Sequence, residues 1–256
     1  MVQGKAWTAG LLLAAALATG GAAADREKLR YQIEVDGMRV GTVEVSAESG
    51  ADQVWAQVGW EMAGPLGLGG KSKGRLEGKG RVSDGQVVPT DFASRSKKNE
   101  REREVRIDYA ADGSIEDLEL NKNGKRRHSE VPEDQRKDTV DTLTALWRLR
   151  RWAAEKPGPD DRPLELQVFD GQERYDLVAR ATGTESARLG GRQVEAERIE
   201  LTLVPKAGLD DGEVFGSRVD PDKPWAELLV TPGDDPVLLK ATGQGRRSWT
   251  IGLDRE

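Results

Sequence analysis

Gln53-Val54-Trp55-Ala56-Gln57-Val58-Gly59-Trp60-Glu61-Met62 alternates without a break, with Val54, Ala56, Val58, Trp60 and Met62 on one side and Gln53, Gln57 and Glu61 on the other. A period of two is that of a strand with one face in a core and one in water. Similar alternation recurs at Tyr31, Ile33 and Val35, at Val105, Ile107 and Tyr109, at Leu164, Leu166 and Val168, and at Trp249, Ile251 and Leu253. Between strand-like runs stand Asp36-Gly37, Asp84-Gly85, Asp112-Gly113 and Asp170-Gly171, residue pairs that tolerate positive φ and so close tight hairpins. Many short strands joined by hairpins predict a mainly β (α+β) fold, a curved antiparallel sheet or partly open barrel.

From Asp138 to Ala154 the period changes. Val140, Leu143, Leu146, Trp147 and Ala154 fall on one arc at about 100° per residue, the spacing of a helix. The spacing predicts one covering helix at about 139–154, with Asp138 as N-cap, Asp141 in the field of the helix N-terminus, and a stop before Pro157-Gly158-Pro159. Arg150 projects within the apolar arc, so it must snorkel to the edge or meet a carboxylate, and a structural ion pair is the expectation. The mature chain, 25–256, reads as a single β-rich domain whose two halves meet near 155–163. The Asp- and Pro-rich segment from Gly208 to Pro224 reads as a long loop. A weak echo links Asp84-Gly85 before Pro89 to Gly233-Asp234-Asp235 before Pro236, which hairpin chemistry alone explains.

Composition excludes several chemistries. Among 256 residues there is no Cys and one His, so disulfides, thiolate nucleophiles, thiolate zinc sites and multi-histidine metal sites are all ruled out. The 45 acidic residues exceed the 39 basic ones, and 33% of all residues are charged against 36% hydrophobic, which speaks for thin layers and against nucleic acid as a partner. Residues 1–24 carry Lys5, an apolar stretch from Ala9 to Leu17 and the small-residue end Ala22-Ala23-Ala24. This is the pattern of a cleavable signal peptide, too short for a membrane span of about twenty residues. The expected mature protein starts at Asp25, is not lipidated, has no transmembrane segment and resides in the periplasm, where no nucleotide cofactor is at hand.

The remaining motifs carry little chemistry. Gly69-Gly70-Lys71-Ser72 resembles the end of a phosphate-binding loop, but Pro65 stands where that loop needs glycine. The wider glycine run, with Gly74, Gly78 and Gly80, reads as bent strands in which glycine relieves crowding. Lys97 to Glu104 alternates charge and reads as an exposed edge that opposes aggregation. Lys122 to His128 is a basic patch in a connection before the helix, and His128 has no sequence neighbour that makes it a catalytic base. Acidic pairs at Asp160-Asp161, Asp210-Asp211 and Asp234-Asp235 sit in turns, without EF-hand spacing for calcium. Trp60, Trp147 and Trp249 lie on apolar faces. Trp55 falls on the polar side of its strand, so Trp55, Trp60 and Trp147 are the candidate ligand or partner surface, with Asp138, Asp141 and Arg150 in structural roles. No catalytic residue, metal ligand or cofactor is implied.

Three stretches together resemble the exported Gram-negative family of domain of unknown function 3108. Thr139 to Arg150 is similar to that family's helix motif of Asp, then Leu-Ser-Ala-Leu, then Arg, with Thr142 where Pro is common and Thr144 where Ser is common. Val168 to Leu177 resembles its hairpin after the helix, and Trp225 through Pro236 to Leu239 resembles its closing strand pair. The resemblance implies an exported, mainly β protein and transfers no catalytic residue. The functional expectation is a non-enzymatic periplasmic protein that binds an apolar or lipid ligand or another envelope component. The alternatives are a carboxylate-based hydrolase of envelope glycans and a structural adaptor for a protein partner.

Overall fold

A computed structural model describes residues 27–63, 71–189, 191–208, 213–214, 217–234, 236–244 and 248–254. The signal segment, Gly64 to Gly70, Asp210-Asp211 and Asp235 lie outside the described residues. The elements are β1 (Glu27–Val35), β2 (Met38–Ser49), β3 (Gln53–Ala63), β4 (Lys71–Ser83), β5 (Gln86–Lys98), β6 (Arg101–Tyr109), β7 (Ile115–Lys122), β8 (Lys125–Arg127), α1 (Thr142–Ala154), β9 (Leu164–Phe169), β10 (Arg174–Leu189), β11 (Arg192–Ala207), β12 (Glu213–Val214), β13 (Ser217–Arg218), β14 (Ala226–Val230), β15 (Leu238–Gln244) and β16 (Ser248–Leu253). Asp36-Gly37 and Asp84-Gly85 adopt φ of 50° and 76° and of 49° and 73°, the doubly left-handed backbone of two-residue hairpins. Asn123-Gly124 does the same between β7 and β8.

Among the described residues fourteen strands form one curved antiparallel sheet in the order β8-β7-β6-β5-β4-β3-β2-β1-β16-β15-β14-β11-β10-β9, while β12 and β13 pair with each other. The first strand lies beside the last, Ile33 opposite Ile251, so strands from before and after α1 share one sheet. The sheet does not close, because its end strands β8 and β9 have no strand pairing between them. Instead Val140 lies parallel to β9: it donates its N–H to the Gln167 carbonyl and accepts from Phe169 N–H, both at 2.9 Å.

That bridge moves the helix start. The backbone must stay extended through Val140, so the cap is Asp141 at ψ 169° and α1 begins at Thr142; Asp138 stands outside the helix at φ 58° and is exposed. The buried arc is also rotated from the expected one. Leu143, Ala145, Leu146, Leu149 and Ala153 are buried, whereas Trp147 and Ala154 are only half-buried. The arc packs on β4, β5 and β9, covering the concave face.

Glycine in β4 makes room there. A Cβ at Gly78 would stand 3.1 Å from Leu143 Cδ1, and one at Gly74 would fall inside the Trp60 indole. Gly74 is the cross-strand partner of Trp60, and Gly243 is the partner of Trp249 in the same relation. Both indoles lie flat over a glycine, which accounts for two of the largest side chains of a core that also buries Tyr31, Tyr175, Phe92 and Phe169. A second, smaller cluster of Ala196, Leu229 and Leu239 packs with Ala187, Leu189 and Val194 from the distal part of the β10–β11 hairpin.

Candidate functional site

The lead-in to α1 brings the buried polar groups together. Asp141 accepts from Leu143 N–H (2.8 Å) and Thr144 N–H (3.0 Å) through Oδ1 and from the Thr144 hydroxyl (2.7 Å) through Oδ2. Burial pushes its carboxyl up from the ordinary value, and those three hydrogen bonds pull against it. Tyr109 and Tyr175 sit within its field, their phenols pushed up chiefly by burial. Asp170, half-buried in the turn between β9 and β10, is the second acid held this way. It accepts from Gln172 N–H (2.9 Å) and Glu173 N–H (2.8 Å); burial raises its carboxyl and Arg103 opposes that. Both acids are occupied in holding turns.

Beside this lead-in runs a trough of about 770 Å³, walled by the start of β5, the β6–β7 turn, the segment 133–140 and Arg148 of α1. Val88, Pro89, Ile115, Leu118 and Val140 make an apolar stripe. Arg148 spans the trough wall, donating from Nε (3.1 Å) and Nη2 (2.9 Å) to the Val87 carbonyl. Asp112, Glu116, Asp117, Glu133 and Asp138 stand at its mouth, all exposed. Asp112 is held below the ordinary carboxylate range by hydrogen bonds from Ser114. A pocket of this volume, polar over most of its lining and apolar along that stripe, is of the size that holds a small ligand.

The three candidate tryptophans are not brought together. Trp55 lies on the convex face, where Nε1 donates to Glu77 Oε1 at 3.0 Å, and that bond is the leading cause lowering the Glu77 carboxyl. Trp60 is inside, on the opposite face of the same strand. Trp147 is on α1 with the Arg150 guanidinium 5.4 Å from its ring centroid. Arg150 is buried within the arc and donates from Nε to the Pro236 carbonyl at 3.3 Å, joining the helix to the segment that opens β15. His128 is exposed. Among the described residues no group of three or more His, Asp or Glu is placed to hold a metal ion, and no helix is long and apolar enough to cross a membrane.

Two surface expectations need correction. The run from Lys97 to Glu104 is not an edge: β6 pairs on both sides, and Arg95 bridges Glu102 and Glu104 across the convex face. The basic patch is not a free connection, because Lys125 to Arg127 form β8, the end strand, whose charges guard the exposed edge.

Register also aligns a set of residues that strand periodicity alone does not unite. Cross-strand partners share a face. One concave row reads Val58, Leu76, Ser94, Val105 and Leu120; the next reads Trp60, Gly74, Ser96, Arg103 and Lys122; the last reads Met62, Ser72, Lys98 and Arg101. The concave face thus passes from apolar to cationic toward one end of the strands. The sequence signal for this is the loss of apolar residues at the inward parity of β5 and β6, which is legible only once the pairing is known.

Comparisons with known proteins agree with this architecture. A beta-barrel-like protein of domain of unknown function DUF1849 from Brucella abortus, known from a crystal structure, superimposes with a TM-score of 0.50 at 10% identity, covering 91% of this chain and 97% of that one. At that identity the likeness is one of fold alone. No curated protein matches the chain. Residues 30–218 match the family described as Protein of unknown function (DUF3108). The match spans most of the sequence, including the helix and the hairpin after it, and the chain belongs to that family.

Proposed function

We propose that this is a non-enzymatic, exported envelope protein that binds a ligand with an apolar segment in the trough beside α1. The observation that carries the reading is the trough itself, about 770 Å³ with its stripe of Val88, Pro89, Ile115, Leu118 and Val140. Burying an acyl-type chain on such a stripe is favourable by about 25 cal/mol per Å² of apolar surface. The concave interior is filled by the protein's own aromatic side chains and by α1, so the ligand lies at the surface of the core and not inside it. Binding is favoured over glycan hydrolysis by the state of the acids. A glycosidase keeps one carboxyl protonated by burial next to its substrate. Here the trough acids are exposed, and buried Asp141 and half-buried Asp170 are engaged by backbone N–H groups.

The test begins with fractionation of the native host, where the protein is expected in the periplasm with Asp25 as its first residue. Native mass spectrometry of that material, with organic extraction, is expected to reveal a bound apolar molecule. Val88→Trp, which fills the trough from a half-buried position, is expected to remove it with no loss of melting temperature. A ligand-free wild-type mass, together with no uptake of an apolar fluorescent probe, would sink the reading.

A further inference from the structure

The trough beside α1 is lined by five carboxylates, of Asp112, Glu116, Asp117, Glu133 and Asp138, against three cations, Arg136, Lys137 and Arg148. Two of the cations are committed within the protein. Arg136 donates from Nε (2.9 Å) and Nη2 (2.6 Å) to the Val131 carbonyl, and Arg148 is held by the Val87 carbonyl. Most of the acids are not. Asp112 closes its own turn through Ser114, but the carboxylates of Glu116, Asp117, Glu133 and Asp138 are exposed and have no hydrogen-bond or ion-pair partner among the described residues. Strand register adds to the imbalance. Asp91, Asp108 and Asp117 stand directly opposite one another across β5, β6 and β7, and like charges so placed cost stability. Lys79 meets Asp91 at 3.1 Å and Arg106 holds Asp108 at 3.2 Å, so the row is compensated up to the trough wall, where Asp117 is not. Among the described residues no three acids are placed to ligate a metal ion, so this negative charge is spread along the walls and suits an organic cation. A cleft with low-dielectric walls and charge of one sign concentrates the opposite sign.

We infer that the trough takes an amphiphile whose head group is an ammonium: its apolar segment lies on the apolar stripe, and its positive charge faces Glu116, Asp117, Glu133 and Asp138. The inference rests on the trough reading above and narrows it to one class of ligand. A fatty acid or another anionic amphiphile brings like charge to four unpaired carboxylates and is turned away. A neutral amphiphile gains the stripe alone.

Three ligands with one tail separate the possibilities. Decylammonium, decyl maltoside and decanoate are titrated calorimetrically into the purified protein at pH 7, below the concentrations at which they form micelles. Decylammonium is expected to bind about tenfold or more tighter than decyl maltoside, the scale of two ammonium–carboxylate contacts in a water-like dielectric, and decanoate weaker than both. Added salt is expected to narrow the gap, and Val88→Trp to abolish binding of all three. Glu116→Gln with Asp117→Asn and Asp138→Asn is expected to bring decylammonium down to the affinity of decyl maltoside, whose own binding stays unchanged. Glu44→Gln with Glu61→Gln and Glu185→Gln removes as many charges from exposed positions that do not line the trough, and is expected to keep the preference. The inference is overturned, with the trough reading left standing, by equal affinity for decylammonium and decyl maltoside, by tighter binding of decanoate, by a preference that survives the trough variant, or by one lost as fully in the remote variant. Binding of none of the three, or binding untouched by Val88→Trp, overturns both.

Discussion

Gly74→Ala is expected to destabilise the protein by about 3 kcal/mol, at the upper end of the overpacking range, because the new Cβ would fall inside the Trp60 indole and within 2.6 Å of the Arg95 carbonyl oxygen. Neither obstacle yields cheaply: one is a buried ring wedged in the core, the other is backbone in the next strand. For a chain of this size the loss corresponds to a fall of about 6–12 °C in melting temperature. Gly59→Ala is the control. Its nearest neighbour is the Gly74 carbonyl oxygen at 4.0 Å, so its effect is expected to stay within about 0.5 kcal/mol. Trp60→Leu in the Gly74→Ala background is expected to recover part of the loss, since the shorter side chain vacates the space over position 74. Equal melting of Gly74→Ala and wild type would mean that the indole has no seat on Gly74.

Asp141→Ala is expected to cost about 3 kcal/mol, the sum of a lost N-cap and of buried donors left unsatisfied. Leu143 N–H, Thr144 N–H and the Thr144 hydroxyl all lose their acceptor at once, in a place no water reaches easily. Asp141→Asn behaves differently, because its amide oxygen still accepts both N–H groups and it carries no charge. Burial outweighs the hydrogen bonds and holds the folded-state carboxyl of Asp141 above its unfolded value. The folded state therefore binds more protons than the unfolded state between those two values. Stability from this group is highest below the ordinary carboxyl value, about pH 4, falls as pH rises through the window, and carries its full penalty above the raised folded value. Denaturant titrations at several pH values are expected to show wild type losing ground to Asp141→Asn as pH rises from about 4. A difference that stays flat, or runs the other way, would show that the three hydrogen bonds offset burial completely.

The tryptophans show how far a periodic pattern reaches. Alternation over 53–62 correctly put Trp60 inside and Trp55 outside. It had no means of showing that Trp60 rests on Gly74, that Trp55 is tied to Glu77, or that Trp147 lies under Arg150. The helix was legible as a helix, yet its first residue depended on a hydrogen-bonded bridge between Val140 and Val168, a strand still to come in the chain. Arg150 was legible as a buried cation in an apolar arc, but its carbonyl partner at Pro236 lies 86 residues away. None of the trough's walls is adjacent in sequence to all the others, so no motif announces it.

What the sequence by itself determined is local: the strand period, the Asp-Gly hairpins, the presence of one helix, and the exclusion of thiol and multi-histidine chemistry. Each of these follows from residues within one or two turns of chain, where backbone preference and solvent partition act directly. Only the tertiary structure decided that β1 lies beside β16, that the sheet stays open with Val140 along β9, and that glycines of β4 face α1 and Trp60. It also decided that inward serines, lysines and arginines of four strands fall into two adjoining rows. The physical reason is that pairing order and register are chosen by the summed burial of the whole sheet, a quantity that no single segment carries.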